Sequence, residues 1–65
     1  MFIKINGTES EISNNISIQG LISVKKIEIA IIVELNGTII ARKLWGSTSL
    51  NPGDSLEIIR IIGGG

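Results

Sequence analysis

A chain of 65 residues with no cysteine and no histidine makes one domain, without disulfides, thiolate chemistry or zinc sites of the usual type. Six basic residues balance six acidic ones, and one Phe and one Trp are the only aromatics, which excludes the basic surplus and stacking rings of a nucleic-acid binder. Stability must come from apolar packing, and the 43% hydrophobic fraction is rich in isoleucine, a stiff β-branched residue suited to sheet.

Phe2 to Asn6 alternates, with Ile3 and Ile5 on one face and Phe2 and Lys4 on the other. Asn6-Gly7 then gives the hairpin signal of a turn whose two central residues take positive φ. A more polar return strand through "TESEIS" is anchored by Ile12. In "NNISIQGLISVKK", Ser17 is the expected N-cap, and Ile18, Leu21 and Ile22 fall at helical spacing on one face. Gly20 weakens that helix by about 1 kcal/mol relative to Ala, and Lys25 and Lys26 suit its negative end. A second hairpin follows. Ile27, Ile29, Ile31 and Val33 are expected on one face of its first strand, with Glu28, Ala30, Ile32 and Glu34 on the other. Asn36-Gly37 repeats the turn signal before "TIIA". From Arg42 to Leu50 no period survives, so a crossing loop is predicted, with one tight helical turn around Leu44 and Trp45. Pro52 and Gly53 mark a turn before the last strand, "SLEIIRII", which runs into Gly63, Gly64 and Gly65.

The N-terminal segment lacks the pattern of a signal peptide, and the apolar run Ile29 to Val33 is too short to span a bilayer. A cytoplasmic protein without membrane or nucleic-acid contact is expected. The order strand, strand, helix, strand, strand, loop, strand predicts an α+β fold with a mixed sheet of about five strands and one main helix on one face. Two hairpins flanking a crossover helix form the β-grasp (ubiquitin-like) arrangement, with the first and last strands parallel at the centre. The expected core is Ile3, Ile5, Ile18, Leu21, Ile22, Ile29, Ile31, Leu50, Leu56 and Ile58. Trp45 reads as a packing residue rather than a stacking platform, Lys25-Lys26 as a helix end rather than a binding patch, and Asp54 as a turn residue. No residue is assigned to a metal.

On these residues the chain resembles the ThiS-type sulfur carriers of thiamin biosynthesis. The resemblance rests on Asn36-Gly37, Arg42 with Trp45, Leu50, Gly53-Asp54, the strand Leu56 to Ile62, and the final Gly64-Gly65. The opening hairpin and the Ser17 cap with Ile18, Leu21 and Ile22 extend it to essentially the whole chain. The helix departs from the family pattern, being shorter and carrying Gly20. Residues 1–65 are thus expected to form one sulfur-carrier domain with a glycine tail at 63–65.

The resemblance implies that Gly65 is adenylated by a ubiquitin-activating-type enzyme, which uses ATP and Mg, and becomes a thiocarboxylate that donates sulfur to thiazole synthase. A cysteine-desulfurase-type system would supply the sulfur, and the chain itself would bind no cofactor. The residues are compatible with this division of labour. There is no nucleophile–base pair, so the chain is not expected to be an enzyme. Three extended glycines span about 10 Å, and without Cβ atoms Gly63 and Gly64 can thread a narrow channel in a partner. Glycines without such a role would instead form a frayed end. With one helix available, the second sheet face is expected to stay open. Ile59, Ile61 and Ile32 would be its apolar docking residues, and Glu57 and Arg60 would set orientation at the rim. The contrary expectation is that the crossing loop and Trp45 cover these isoleucines. Three other functions fit the same pattern: a carrier of the molybdopterin synthase small-subunit type, a ubiquitin-like modifier, and a structural β-grasp module.

Overall fold

A computed structural model describes residues 1–27 and 31–60. Its elements are β1 (Phe2–Ile5), β2 (Thr8–Glu11), α1 (Ile18–Val24), β3 (Ile31–Leu35), β4 (Thr38–Ile40), a 3₁₀ helix (Arg42–Ser47) and β5 (Ser55–Arg60). They form a five-stranded mixed sheet in the order β2-β1-β5-β3-β4. The two hairpins are antiparallel, and β1 and β5 run parallel at the centre with Lys4 beside Ser55 and Ile5 beside Leu56. The expected topology is thus present, strand for strand.

Both hairpins turn as their Asn-Gly pairs require. Asn6 and Gly7 have φ of 50° and 81°, and Asn36 and Gly37 have 51° and 88°, positive at both central positions as in a type I′ turn. Such a turn matches the right-handed twist of its flanking strands and so sets their register. The Ile12 amide donates to the Met1 carbonyl at 2.8 Å, carrying the pairing one residue past β2.

Helix α1 begins at the predicted cap, where the Ser17 hydroxyl accepts from the Gly20 amide at 3.0 Å. A Cβ on Gly20 would lie 3.0 Å from Cγ1 of Ile16 and 3.3 Å from the Ser17 hydroxyl. Close packing at the helix start therefore explains a residue that propensity alone disfavours. The helix closes in a Schellman motif. The Lys26 amide donates to Ser23 and the Ile27 amide to Ile22, both at 3.2 Å, with Lys26 at φ 55°. Ile27 thus belongs to the helix end rather than to β3, where the alternation had put it. A lysine occupies the left-handed position that glycine usually marks, so the stop signal is absent from the sequence.

The core contains Ile3, Ile12, Ile18, Leu21, Ile22, Ile31, Val33, Trp45, Leu50 and Leu56. Seven of these ten are among the ten residues expected. Ile12, Val33 and Trp45 join them, while Ile5 and Ile58 are half-buried at its border. A seven-residue helix is only about 10 Å long and cannot cover the whole sheet face. Ile29, the remaining expected core residue, lies outside the described residues.

The crossing segment is tied down at several points. The Trp45 indole nitrogen donates to the Ile40 carbonyl at 3.0 Å, and the Arg42 guanidinium sits 4.6 Å from the ring centroid, within cation–π range. The Ile18 amide donates to Thr48 at 3.0 Å and the Leu50 amide to Ile16 at 2.9 Å, binding the segment to the start of α1. Trp45 is accordingly a core residue on the helix side.

Candidate functional site

The side-chain period of two divides β5 between the faces. Leu56 is fully buried and Ile58 half-buried on the helix side, whereas Glu57 and Ile59 point to the other face and are exposed. The antiparallel β3–β5 register sets Ile59 beside Ile32 and Glu57 beside Glu34. On β4, Ile39 lies beside Glu34. Ile59 and Ile39 are 43% and 64% exposed, and Ile32 is half-buried between them. These three isoleucines share the open face of β5, β3 and β4, with Ile59 opposite Ile32 and Ile39 diagonal to it, next to the Glu34–Glu57 pair. Like charges directly across a ladder are unfavourable, so the pair is an element of stability given up on this face.

Trp45 and the 3₁₀ helix pack on the opposite side of the sheet, so the crossing loop does not cover Ile59. Arg60 pairs with Ile31 and alternates onto the side of Leu56 and Ile58, exposed at the end of β5, whereas Glu57 lies on the open face. Ile39 was not singled out in the sequence, although its position opposite Glu34 follows once the second hairpin is in register. Ile61, Gly63, Gly64 and Gly65 lie outside the described residues.

Asp54 is a turn residue. Its carboxylate accepts from the Asn51 amide at 2.8 Å and from the Asn36 side-chain amide at 3.1 Å. Among the described residues no group of three or more His, Cys, Asp or Glu side chains is placed to hold a metal ion. No ligand-sized cavity opens among them either. No helix among them is long and apolar enough to cross a membrane. The chemistry this surface supports is recognition: an open face of three isoleucines with a doubled negative charge, beside the strand that leads to the terminal glycines.

A mixed sheet with parallel central strands, two hairpins and one helix on a single face makes the chain a β-grasp protein of the ubiquitin-like class. Its family follows from comparison with known proteins. The ThiS family model matches residues 3–65, and the chain belongs to the ThiS family, whose small carriers hold sulfur. The crystal structure of thiamine biosynthesis protein ThiS from Geobacter metallireducens superposes with a TM-score of 0.88 over 100% of both chains at 30% identity. The solution structure of that Geobacter protein gives 0.83 at 29% identity, covering 100% of this chain and 88% of the other. Two uncharacterized ycf40 proteins are also similar. That of Porphyra purpurea is 38% identical and that of Pyropia yezoensis 41%, each over 64 residues, 97% of this chain and 90% of theirs.

Proposed function

We propose that this chain carries sulfur for the thiazole ring of thiamin as a thiocarboxylate on Gly65. The observation that carries the reading is that the family match runs to residue 65 and so includes the terminal glycines. The thiamine biosynthesis names of both solved neighbours favour that pathway.

A free carboxylate is a poor acyl donor because oxide would have to leave. Attack of the Gly65 carboxylate on the α-phosphate of ATP expels pyrophosphate and leaves an acyl-adenylate. The terminal sulfur of a persulfide on a cysteine-desulfurase-type donor then adds to the carbonyl and expels AMP, and a second thiol cleaves the resulting acyl disulfide, releasing the thiocarboxylate and leaving a disulfide on the donor side. That group is a nucleophile at neutral pH and passes its sulfur to thiazole synthase. ATP, Mg and the positive groups that steady the phosphates belong to a ubiquitin-activating-type enzyme, and this chain contributes no catalytic residue.

Its contribution is delivery. Ile59, Ile32 and Ile39, with Ile61 following in sequence, dock the adenylating enzyme and later thiazole synthase, and a basic group on the partner neutralises Glu57 and Glu34. Gly63 and Gly64 thread the tail into the partner's site. ATP–pyrophosphate exchange by the adenylating enzyme tests the reading. Exchange is expected to require this chain and to vanish when Gly65 is removed. Exchange that proceeds equally without Gly65 would refute it.

A further inference from the structure

The two Asn-Gly turns lie far from β5 in sequence, yet both asparagine side chains grip it. Backbone pairing between β1 and β5 ends where the Asn6 amide donates to the Leu56 carbonyl at 2.9 Å. There the chain turns away toward β2. The Asn6 carboxamide adds one more rung: its Oδ1 accepts from the Ile58 amide at 2.7 Å, and its Nδ2 donates to the Ile58 carbonyl at 3.2 Å. A carboxamide presents a donor and an acceptor side by side, as a peptide group does, so it can stand in for a strand residue. At the other end of β5, the Asn36 amide donates to the Ser55 carbonyl at 2.8 Å. Its Oδ1 accepts from the Ser55 amide at 2.9 Å.

The turns themselves do not need these carboxamides. Glycine and aspartate also adopt the positive φ that a type I′ turn demands at its first central position. Asn6 suits the turn and does more than shape it, and the two hydrogen bonds to Ile58 are what its carboxamide adds. Ile58 stands two residues before the end of β5 at Arg60. Past it, on the β1 flank, no further rung is formed among the described residues.

We propose that Asn6 is a positioning residue for sulfur transfer, clamping β5 at Ile58 so that the strand hands the glycine tail to the partner in one direction. This rests on the sulfur-carrier reading above. Without the clamp, the end of β5 is held by β3 alone and samples more orientations. Only a fraction of encounters then present Gly65 correctly, so the apparent affinity falls by that fraction while turnover of the correctly bound chain is unchanged. Asn36 grips the strand's entrance instead, which makes it the matched control.

The experiment compares wild type with Asn6→Gly, Asn6→Asp and Asn36→Gly. It reads the Ile58 amide exchange rate by NMR and the kinetics of adenylation by the activating enzyme. In Asn6→Gly, faster Ile58 exchange is expected, with KM for the carrier raised about three- to tenfold, the equilibrium weight of a net hydrogen bond, and kcat retained. Asn6→Asp keeps an acceptor for the Ile58 amide but sets a carboxylate against the Ile58 carbonyl. It should raise KM too, and it carries the test if the glycine variant does not fold. Asn36→Gly should leave KM at the wild-type value. An unchanged KM in both Asn6 variants, or an equal rise in Asn36→Gly, would overturn the positioning role. Wild type that is itself never adenylated would overturn the carrier reading and the role together, a result distinct from normal wild-type turnover with indifferent Asn6 variants.

Discussion

Ile59→Asp tests the open face most sharply. Full burial of an isoleucine side chain is worth about 1.5–3 kcal/mol, and Ile59 retains 43% of its exposure in the free protein. Docking can therefore recover about 0.6–1.3 kcal/mol from this side chain alone, taking 43% of that range. Aspartate forfeits this and adds the cost of setting a charge against an apolar contact, beside Glu34 and Glu57 on the same face. A total loss of about 2 kcal/mol, the threshold of an interface hot spot, corresponds to roughly thirtyfold in Kd. Titration calorimetry against the adenylating enzyme measures it, and thermal melting reports whether the variant is folded. Ile59→Ala should lose only the apolar part, several-fold in Kd. A folded Ile59→Asp protein that binds with wild-type affinity would refute the docking face. Loss of folding would mean that the Ile59–Ile32 contact matters more to the sheet than its exposure implies.

Leu56→Ala removes a fully buried side chain from the centre of the sheet and should destabilise the protein by about 2–5 kcal/mol, read as a lower denaturant midpoint at unchanged slope. Gly20→Ala would gain about 1 kcal/mol on helix propensity alone. The 3.0 Å approach to Ile16 should offset that gain in full or exceed it, so melting at or below the wild-type temperature is expected, and a clear rise would show that Ile16 yields freely. Gly64→Val should leave the melting temperature unchanged yet block adenylation, and adenylation at the normal rate would contradict the narrow-channel argument.

The features that could be read from the sequence are local and carry their own mechanism. Asn6-Gly7 and Asn36-Gly37 specify hairpins through backbone sterics, Ser17 caps a helix through its own hydroxyl, and Ile18, Leu21 and Ile22 repeat at the helical period. The faces of β5 followed from alternation, which correctly put Glu57 and Ile59 on the open side. What escaped was non-local. Ile27 leaves the strand because a Schellman closure uses Lys26 where glycine would have announced it. Val33, Ile12 and Trp45 join the core while Ile5 and Ile58, both on the central strands, stay half-buried, because burial depends on what packs over each position and not on alternation alone. The bonds from Asn6 to Ile58 join residues 52 positions apart, and no pattern along the chain can express them. Of the site itself, composition allowed a carrier and the family resemblance named one, while the apolar face needed the β3–β5 and β3–β4 registers to bring Ile32, Ile39 and Ile59 together.

The most direct measurement is the intact mass of the chain, with fragmentation of its C-terminal peptide, after reaction with the adenylating enzyme, ATP, Mg and a sulfide source. Replacement of one oxygen by sulfur at Gly65 is the predicted result, dependent on ATP and lost on alkylation-and-hydrolysis treatment that removes thiocarboxylates. An unchanged mass, under conditions where the same enzyme loads its own carrier, would contradict the proposed function.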